Sequence, residues 1–201
     1  MLETIRSVLA LPQAYQFFFN VVGAPARSRI LVRDYIRPKP GDRILEIGCG
    51  PGTIIPFLPE TEYVGFDASP EYIERARARF PRAKFVCERV SQFTLAGCDQ
   101  FDIVLALGIL HHIDDQEALQ LFKIAHHALK PGGRLVTLDG VWTPDQSRAA
   151  RYIQTKDRGQ FIREENAYVR LAQQVFSNTT SSVRHDLLRI PYSHIILVCT
   201  R

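Results

Sequence analysis

Strand-like and helix-like segments alternate five times between residues 43 and 140. Arg43-Ile-Leu-Glu-Ile47, Tyr63-Val-Gly-Phe-Asp67, Lys84 to Cys87, Phe101-Asp-Ile-Val-Leu-Ala-Leu107 and Arg134-Leu-Val-Thr-Leu-Asp139 read as short strands. A short helix is expected over 53–58. Ser69-Pro-Glu71 opens another, to about Phe80: an N-cap residue, proline at the first helical position, then an acid on the positive end of the helix dipole. Asp114-Asp-Gln-Glu117 has capping-box-like spacing and opens a helix to about Lys130, ended by Pro131-Gly-Gly133. Strands separated by helices need crossovers, and crossovers build a parallel sheet with helices on both faces. The almost unbroken apolar run of Phe101–Leu107 suits a strand buried on both sides.

The flanks are different. Residues 2–22 read as amphipathic helices broken at Pro12, the second rich in aromatics. Residues 27–37 read as a basic amphipathic helix that Pro38-Lys-Pro-Gly41 cannot continue. Residues 145–156 and 164–176 look helical. The last two segments, 180–188 and 193–200, read as strands joined by Ile190-Pro191-Tyr192, a connection that allows only an antiparallel hairpin. The expected fold is one α/β domain with a Rossmann-like seven-stranded mixed sheet, six strands parallel and one C-terminal strand antiparallel. Residues 1–40 would form a helical cap, 41–140 the core, 141–176 a helical insertion and the last helix, and 177–201 the hairpin. A length of 201 residues suits one domain, and 46% hydrophobic with 23% charged residues excludes collagen-like and disordered classes.

Glu46-Ile-Gly48-Cys-Gly50-Pro-Gly52 sits between the first strand and a helix. Glycines there let backbone approach a ligand, beside the unpaired N–H groups of a helix start. Asp67 ends the next strand, where a carboxylate accepts both hydroxyls of a ribose. Dinucleotide binders use GxGxxG, and position 53, where that pattern needs glycine, holds Thr53.

The GxGxG spacing, with Glu46 two residues ahead of it, resembles motif I of the class I S-adenosylmethionine-dependent methyltransferases. Phe101-Asp-Ile-Val104, Leu110-His-His-Ile-Asp114 and Leu129-Lys-Pro-Gly-Gly-Arg-Leu135 are similar to further segments of that family, as is the reversed terminal hairpin. The resemblance covers about residues 40–140, and 177–200 by topology. It implies S-adenosyl-L-methionine as cofactor, held by Glu46, Gly48, Cys49, Gly50, Gly52, Asp67, Ala68, Glu88, Arg89, Val90 and Leu107. It also implies an N-terminal closure by Tyr15 with Arg27 or Arg29. The family's adenine-reading acid falls on Glu88 or is replaced by Arg89, in which case backbone near Arg89 and Val90 does the work.

For chemistry, the candidates stand at the carboxyl ends of the fourth and fifth strands: His112, His111 and Asp139. An oxygen acceptor calls for a general base; a carbon or amine acceptor does not. Capping a following helix is the plain role for Asp139, and His126 and His127 read as mid-helix residues. No metal site is expected, since the adjacent ligands of His111, His112, Asp114 and Asp115 diverge and no third ligand is evident. Cys49 reads as a packing residue. Trp142 and Tyr152 either line an acceptor pocket or pack. Tyr152-Ile-Gln-Thr-Lys156 matches the YxxxK pair of short-chain dehydrogenases, whose N-terminal glycine pattern this chain lacks.

The expected activity is methyl transfer to a small-molecule, glycan or lipid-precursor acceptor. Two alternatives are a non-catalytic cofactor-binding regulatory protein and an NAD(P)-dependent oxidoreductase. Arg158, Arg163, Arg170, Arg184 and Arg189 crowd the C-terminal third and lean towards an anionic acceptor, or else form a solvated face. A net charge of +4 with scattered arginines gives no nucleic-acid partner. The Phe17–Phe19 run either packs in the core or touches lipid. Four cysteines without a CxxC pair, no 18-residue apolar run and a poor signal peptide at Val8–Leu11 together suit a reducing cytoplasm.

Overall fold

The structure, a computed structural model, describes residues 21–90, 100–157 and 159–201. The helices expected over 2–22 lie outside the described residues as far as residue 20, which takes in Tyr15 and Phe17–Phe19, as do Cys98 and Arg158.

The chain opens with α1 (Ala24–Leu31), entered by Pro25 in its first turn, and continues as a wider π-type turn, Val32–Ile36. Arg37 ends it at φ 47°. The core then alternates as β1 (Arg43–Ile47), β2 (Glu62–Asp67), α2 (Pro70–Arg79), β3 (Lys84–Cys87), β4 (Phe101–Leu107), α3 (Asp115–Ala128) and β5 (Leu129–Trp142). Between β1 and β2 the expected helix is only a 3-10 turn, Ile55–Phe57, entered by Pro56. Side chains cap three of the helix starts. Ser69 Oγ accepts from Tyr72 N, Asp114 Oδ1 from Glu117 N, and Ser147 Oγ from Ala150 N at the head of α4 (Arg148–Gln154). Beyond α4 come a two-residue strand β6 (Arg163–Glu164), α5 (Glu165–Gln173), β7 (Asn178–Arg184) and β8 (His194–Thr200).

The main sheet runs β3-β2-β1-β4-β5-β8-β7. β1 to β5 are mutually parallel; β8 lies antiparallel between β5 and β7. Six strands therefore share one direction and β8 opposes them, as expected. β5 is longer than the expected Arg134–Asp139, since it takes in Pro131-Gly-Gly133 and runs past Asp139 to Trp142; two other details also differ from the sequence reading. The last connection is residues 185–193, longer than the Ile190–Tyr192 turn. β6 was not foreseen; two residues carry no periodicity, and it exists because Arg163 and Glu164 pair with Val141 and Trp142 at the far end of β5.

Adjacent strand residues supply opposite faces. Leu45 and Val104 pack with α3 and α5 through Leu121, Phe122, Tyr168 and Phe176. Ile44 and Ile103 pack with α1 and α2 through Leu31, Ile73 and Ala76. Ligand space is left where such open sheets offer it, outside the carboxyl ends of the strands. Among the described residues no helix is long and apolar enough to cross a membrane.

Candidate active site

β1 runs directly into the loop Gly48–Gly52, whose three glycines all take positive φ, between 50° and 72°. At Gly48 an added Cβ would stand 2.6 Å from Ile109 Cδ1, in the turn after β4, and the φ of 70° is itself one that side chains rarely adopt. At Gly50 an added Cβ would meet nothing within 4 Å; the loop there faces open space. Gly48 N and Cys49 N both donate to Phe66 O, at 2.8 and 3.0 Å, which ties the loop to β2.

Asp67 stands at the end of β2. Its Oδ2 accepts from Gly50 N at 2.9 Å and its Oδ1 from Ser69 N at 2.8 Å. Asp67 thus orients the glycine loop, and Ser69 rather than Asp67 caps α2. Around this corner lies a cleft of about 500 Å³. Glu46, Gly48, Cys49, Gly50, Asp67, Ala68, Glu88, Arg89, Val90 and Leu107 all line it. Gly52 does not; its added Cβ would meet Ile55 and Phe80, so its role is in the loop's own packing. Glu88 is held at the cleft by its backbone N, which donates to Asp67 O at 3.0 Å. Tyr72, Ile109, Ile113 and Glu117 are among the further lining residues. Their sequence signal was faint, since each stands just past the end of a strand or one turn into a helix.

Glu46 is 3% exposed and accepts a hydrogen bond from the Tyr63 hydroxyl. Burial pushes its carboxyl up to about 8, against the help of Tyr63 and with the charge of Asp67 adding to the rise; Cys49 also faces it. The folded chain therefore holds a proton that the unfolded chain releases near 4.5. That contribution to stability is complete below the unfolded value and is lost as pH rises through the folded one. Thermal melts across this range should show wild type losing stability relative to Glu46→Gln as pH climbs from 4.5 to about 8. Parallel curves for the two proteins would refute the assignment.

The three candidates for chemistry separate. His112 is exposed and lines the cleft. His111 and Asp139 do not. His111 is 7% exposed, and its Nδ1 lies 2.8 Å from Asp139 Oδ1, which also accepts from the backbone N of His111 at 3.2 Å. Its Nε2 lies 3.5 Å from Asp157 Oδ1. Burial alone would lower the His111 ring, but the two carboxylates outweigh it and raise it to about 9. Asp139, 1% exposed, is pushed up by burial and held down by His111. We take the pair as imidazolium and carboxylate because a second carboxylate, Asp157, stands 3.5 Å from the opposite nitrogen of the same ring. Capping is not the role of Asp139; Ser147 caps α4.

Asp157 escaped the sequence reading. It stands 46 residues after His111 and is itself fixed by Tyr192, whose hydroxyl donates to Oδ2 at 2.8 Å, and by Gly159 N, which donates to Oδ1 at 2.9 Å. Arg163 was missed in this role too. It donates to Leu110 O and Ile113 O and pairs with Asp115, so it holds the post-β4 turn. Arg184 pairs with Asp186 and donates to Tyr35. These two arginines of the C-terminal five thus have protein partners. Tyr152, 64% exposed, carries Lys156 over its ring and lies away from the cleft. Trp142 packs under Arg151.

Residues 44–133 match the family model described as a methyltransferase domain. An uncharacterized methyltransferase of Synechocystis is 29% identical over 120 residues, which are 59% of this chain and 56% of that protein. Phosphoethanolamine N-methyltransferase 1 of Zea mays is 28% identical over 159 residues, 74% of this chain but 30% of that one. The chain thus spans from under a third to about half the length of these two relatives. The N-methyltransferase NodS of Bradyrhizobium japonicum, solved with S-adenosylhomocysteine, superposes with a TM-score of 0.71 at 17% identity, covering 99% of this chain and 97% of NodS. Its agreement is one of fold. Residues 44–133 of this chain thus carry a methyltransferase domain, in a fold whose strand order ends on a reversed β8 and whose glycine loop is tied to Asp67.

Proposed function

We propose that the chain transfers a methyl group from S-adenosylmethionine to a small-molecule, glycan or lipid-precursor acceptor. The observation that carries this reading is the convergence of a positive-φ glycine loop and the Asp67 carboxylate on one open cleft. A volume of about 500 Å³ suits a nucleoside-sized ligand. Each Asp67 oxygen already accepts one backbone N–H and keeps a lone pair for a ribose hydroxyl. The absence of any atom near an added Cβ at Gly50 leaves room for close approach. The donor set therefore fits the cofactor.

When bound, S-adenosylmethionine supplies a methyl group on a sulfonium, already activated for in-line displacement. The chain's own task is alignment and exclusion of water, and orientation alone is worth ~7–11 kcal/mol. Asp67 would hold the ribose, and the glycine loop would present its backbone to the amino-acid end. Glu88 with the backbone beside Val90 would stand at the base. His112, the one catalytic candidate on the cleft wall, is the residue we put next to the acceptor. The relative from Zea mays is named for phosphoethanolamine, an amine acceptor bearing a phosphate, which supports an acceptor of this size.

Calorimetry with S-adenosylmethionine and with NAD tests the cofactor. S-adenosylmethionine should bind and NAD should not; the reverse result would overturn the reading. Transfer of labelled methyl into small-molecule fractions of a cell extract should then proceed with the wild-type chain. Binding without any transfer would favour a non-catalytic cofactor-binding protein instead.

A further inference from the structure

We propose that His111, His112 and Asp157 form a binding site for a divalent transition metal of the zinc or cobalt type. The three residues each direct one ligand atom into a common space, all within 4.8 Å of one another. The site is independent of the methyl-transfer reading and would stand if that reading fell.

Three observations carry it. The first is a distance. His111 Nε2 and Asp157 Oδ1 are 3.5 Å apart. That is too long for a direct N–H···O bond, which spans about 2.7–3.2 Å. Ligand atoms about 2.0–2.1 Å from a tetrahedral ion stand about 3.3–3.4 Å from each other. The spacing of these two side chains is therefore close to that of two ligand atoms on such an ion. The second is the support behind the histidine. His111 Nδ1 lies 2.8 Å from Asp139 Oδ1, so a buried carboxylate keeps the Nδ1 proton in place and Nε2 is the nitrogen that can give up its proton to a ligand. Metal-binding histidines are oriented in this way. The third is the support behind the carboxylate. Tyr192 and Gly159 fix both oxygens of Asp157, and Phe161 N donates to His111 O at 2.9 Å, which holds the two elements together.

Two imidazoles and a carboxylate are a borderline donor set suited to zinc, cobalt or iron rather than magnesium. Asp139 and Asp157 together balance the ion's charge. The His111 and His112 rings have centroids 4.1 Å apart, and His112 also lines the cofactor cleft, so the ion would sit at the cleft wall. Entry of the ion displaces a proton from Nε2 to solvent. The sequence spacing hid the site because the third ligand arrives from residue 157, whereas Asp114 is bound to Glu117 N and Asp115 to Arg163.

Cobalt(II) titrated into the metal-free chain of residues 1–201 is the test, read by its visible d–d absorption. The expected result is a band that saturates at one equivalent and is abolished by added zinc. His112→Gln and Asp157→Asn should each weaken cobalt binding by at least about tenfold, and Asp139→Asn, acting through His111, by roughly 10–100-fold. Metal-free melting curves accompany each variant. If Asp157→Asn or Asp139→Asn melts early, the exposed His112→Gln decides alone. No visible band in excess cobalt overturns the proposal, and so does a band that survives undiminished in His112→Gln. Cofactor binding is measured separately by calorimetry, so a failed metal site and a failed methyltransferase reading are distinguishable.

Discussion

Asp67→Ala is expected to weaken S-adenosylmethionine binding by roughly 10²–10⁴-fold while the chain stays folded. The carboxylate stands at the end of β2 with one backbone N–H on each oxygen. Those two donors, Gly50 N and Ser69 N, lie at the rim of the cleft, where water can replace the lost acceptor. The ribose has no such substitute. Two hydroxyls on one carboxylate are charge-assisted hydrogen bonds of about 1.5–3 kcal/mol each, and about 1.4 kcal/mol is tenfold in affinity. Asp67→Asn keeps one acceptor oxygen and loses the charge, so it should fall between wild type and alanine. Ser69→Ala is the control. It removes the α2 cap, costs about 1 kcal/mol of stability, and should leave cofactor affinity nearly unchanged. Binding by Asp67→Ala within about threefold of wild type would remove the ribose role and with it the main support for the cleft assignment.

Asp67 could be read from sequence because what it needs is local. A strand end, a glycine loop one strand earlier and a capping serine two residues later are short-range patterns, and the parallel pairing of β1 with β2 brings them together automatically. Glu46, Glu88 and Leu107 follow the same logic, since each sits at or beside the carboxyl end of its strand. Two of the helices, α2 and α3, were legible through their caps at Ser69 and Asp114. What stayed hidden depends on segments with no period of their own. Asp157 lies between α4 and β6, and nothing in its neighbourhood announces that Tyr192 and His111 will meet it. Asp139 read as the end of the fifth strand, whereas β5 runs on to Trp142, and its partner was not legible. Strand geometry says that the side chain reaches the edge of the sheet, not that the turn after β4 folds back over it. Arg163 looked like one cation among five in the C-terminal third. Its function comes from the carbonyls that the post-β4 turn leaves unpaired, which no composition count can see.

Arg163→Ala should lower stability by roughly 2–5 kcal/mol, a fall of about 5–15 °C in melting temperature for a domain of this size. The side chain is 8% exposed, although its acidic partner Asp115 is 75% exposed. The ion pair is therefore screened and contributes little. The weight lies in the carbonyls. Nη1 donates to Leu110 O at 2.6 Å and Phe161 O at 3.0 Å, and Nη2 to Ile113 O at 2.8 Å. The guanidinium also packs 5.6 Å from the centroid of the buried Tyr168 ring. Alanine leaves the carbonyls around Leu110 and Ile113 without a donor, at about 1–3 kcal/mol for each buried acceptor. Lysine offers a single nitrogen where a planar fork is needed, so Arg163→Lys should recover less than half of the loss. Asp115→Ala should stay within about 0.5 kcal/mol of wild type. Because the same turn carries His112 and Ile113 into the cleft, cofactor affinity should fall in Arg163→Ala and remain intact in Asp115→Ala. Equal melting temperatures for these two variants would mean that the exposed ion pair, not the carbonyl fork, holds the turn.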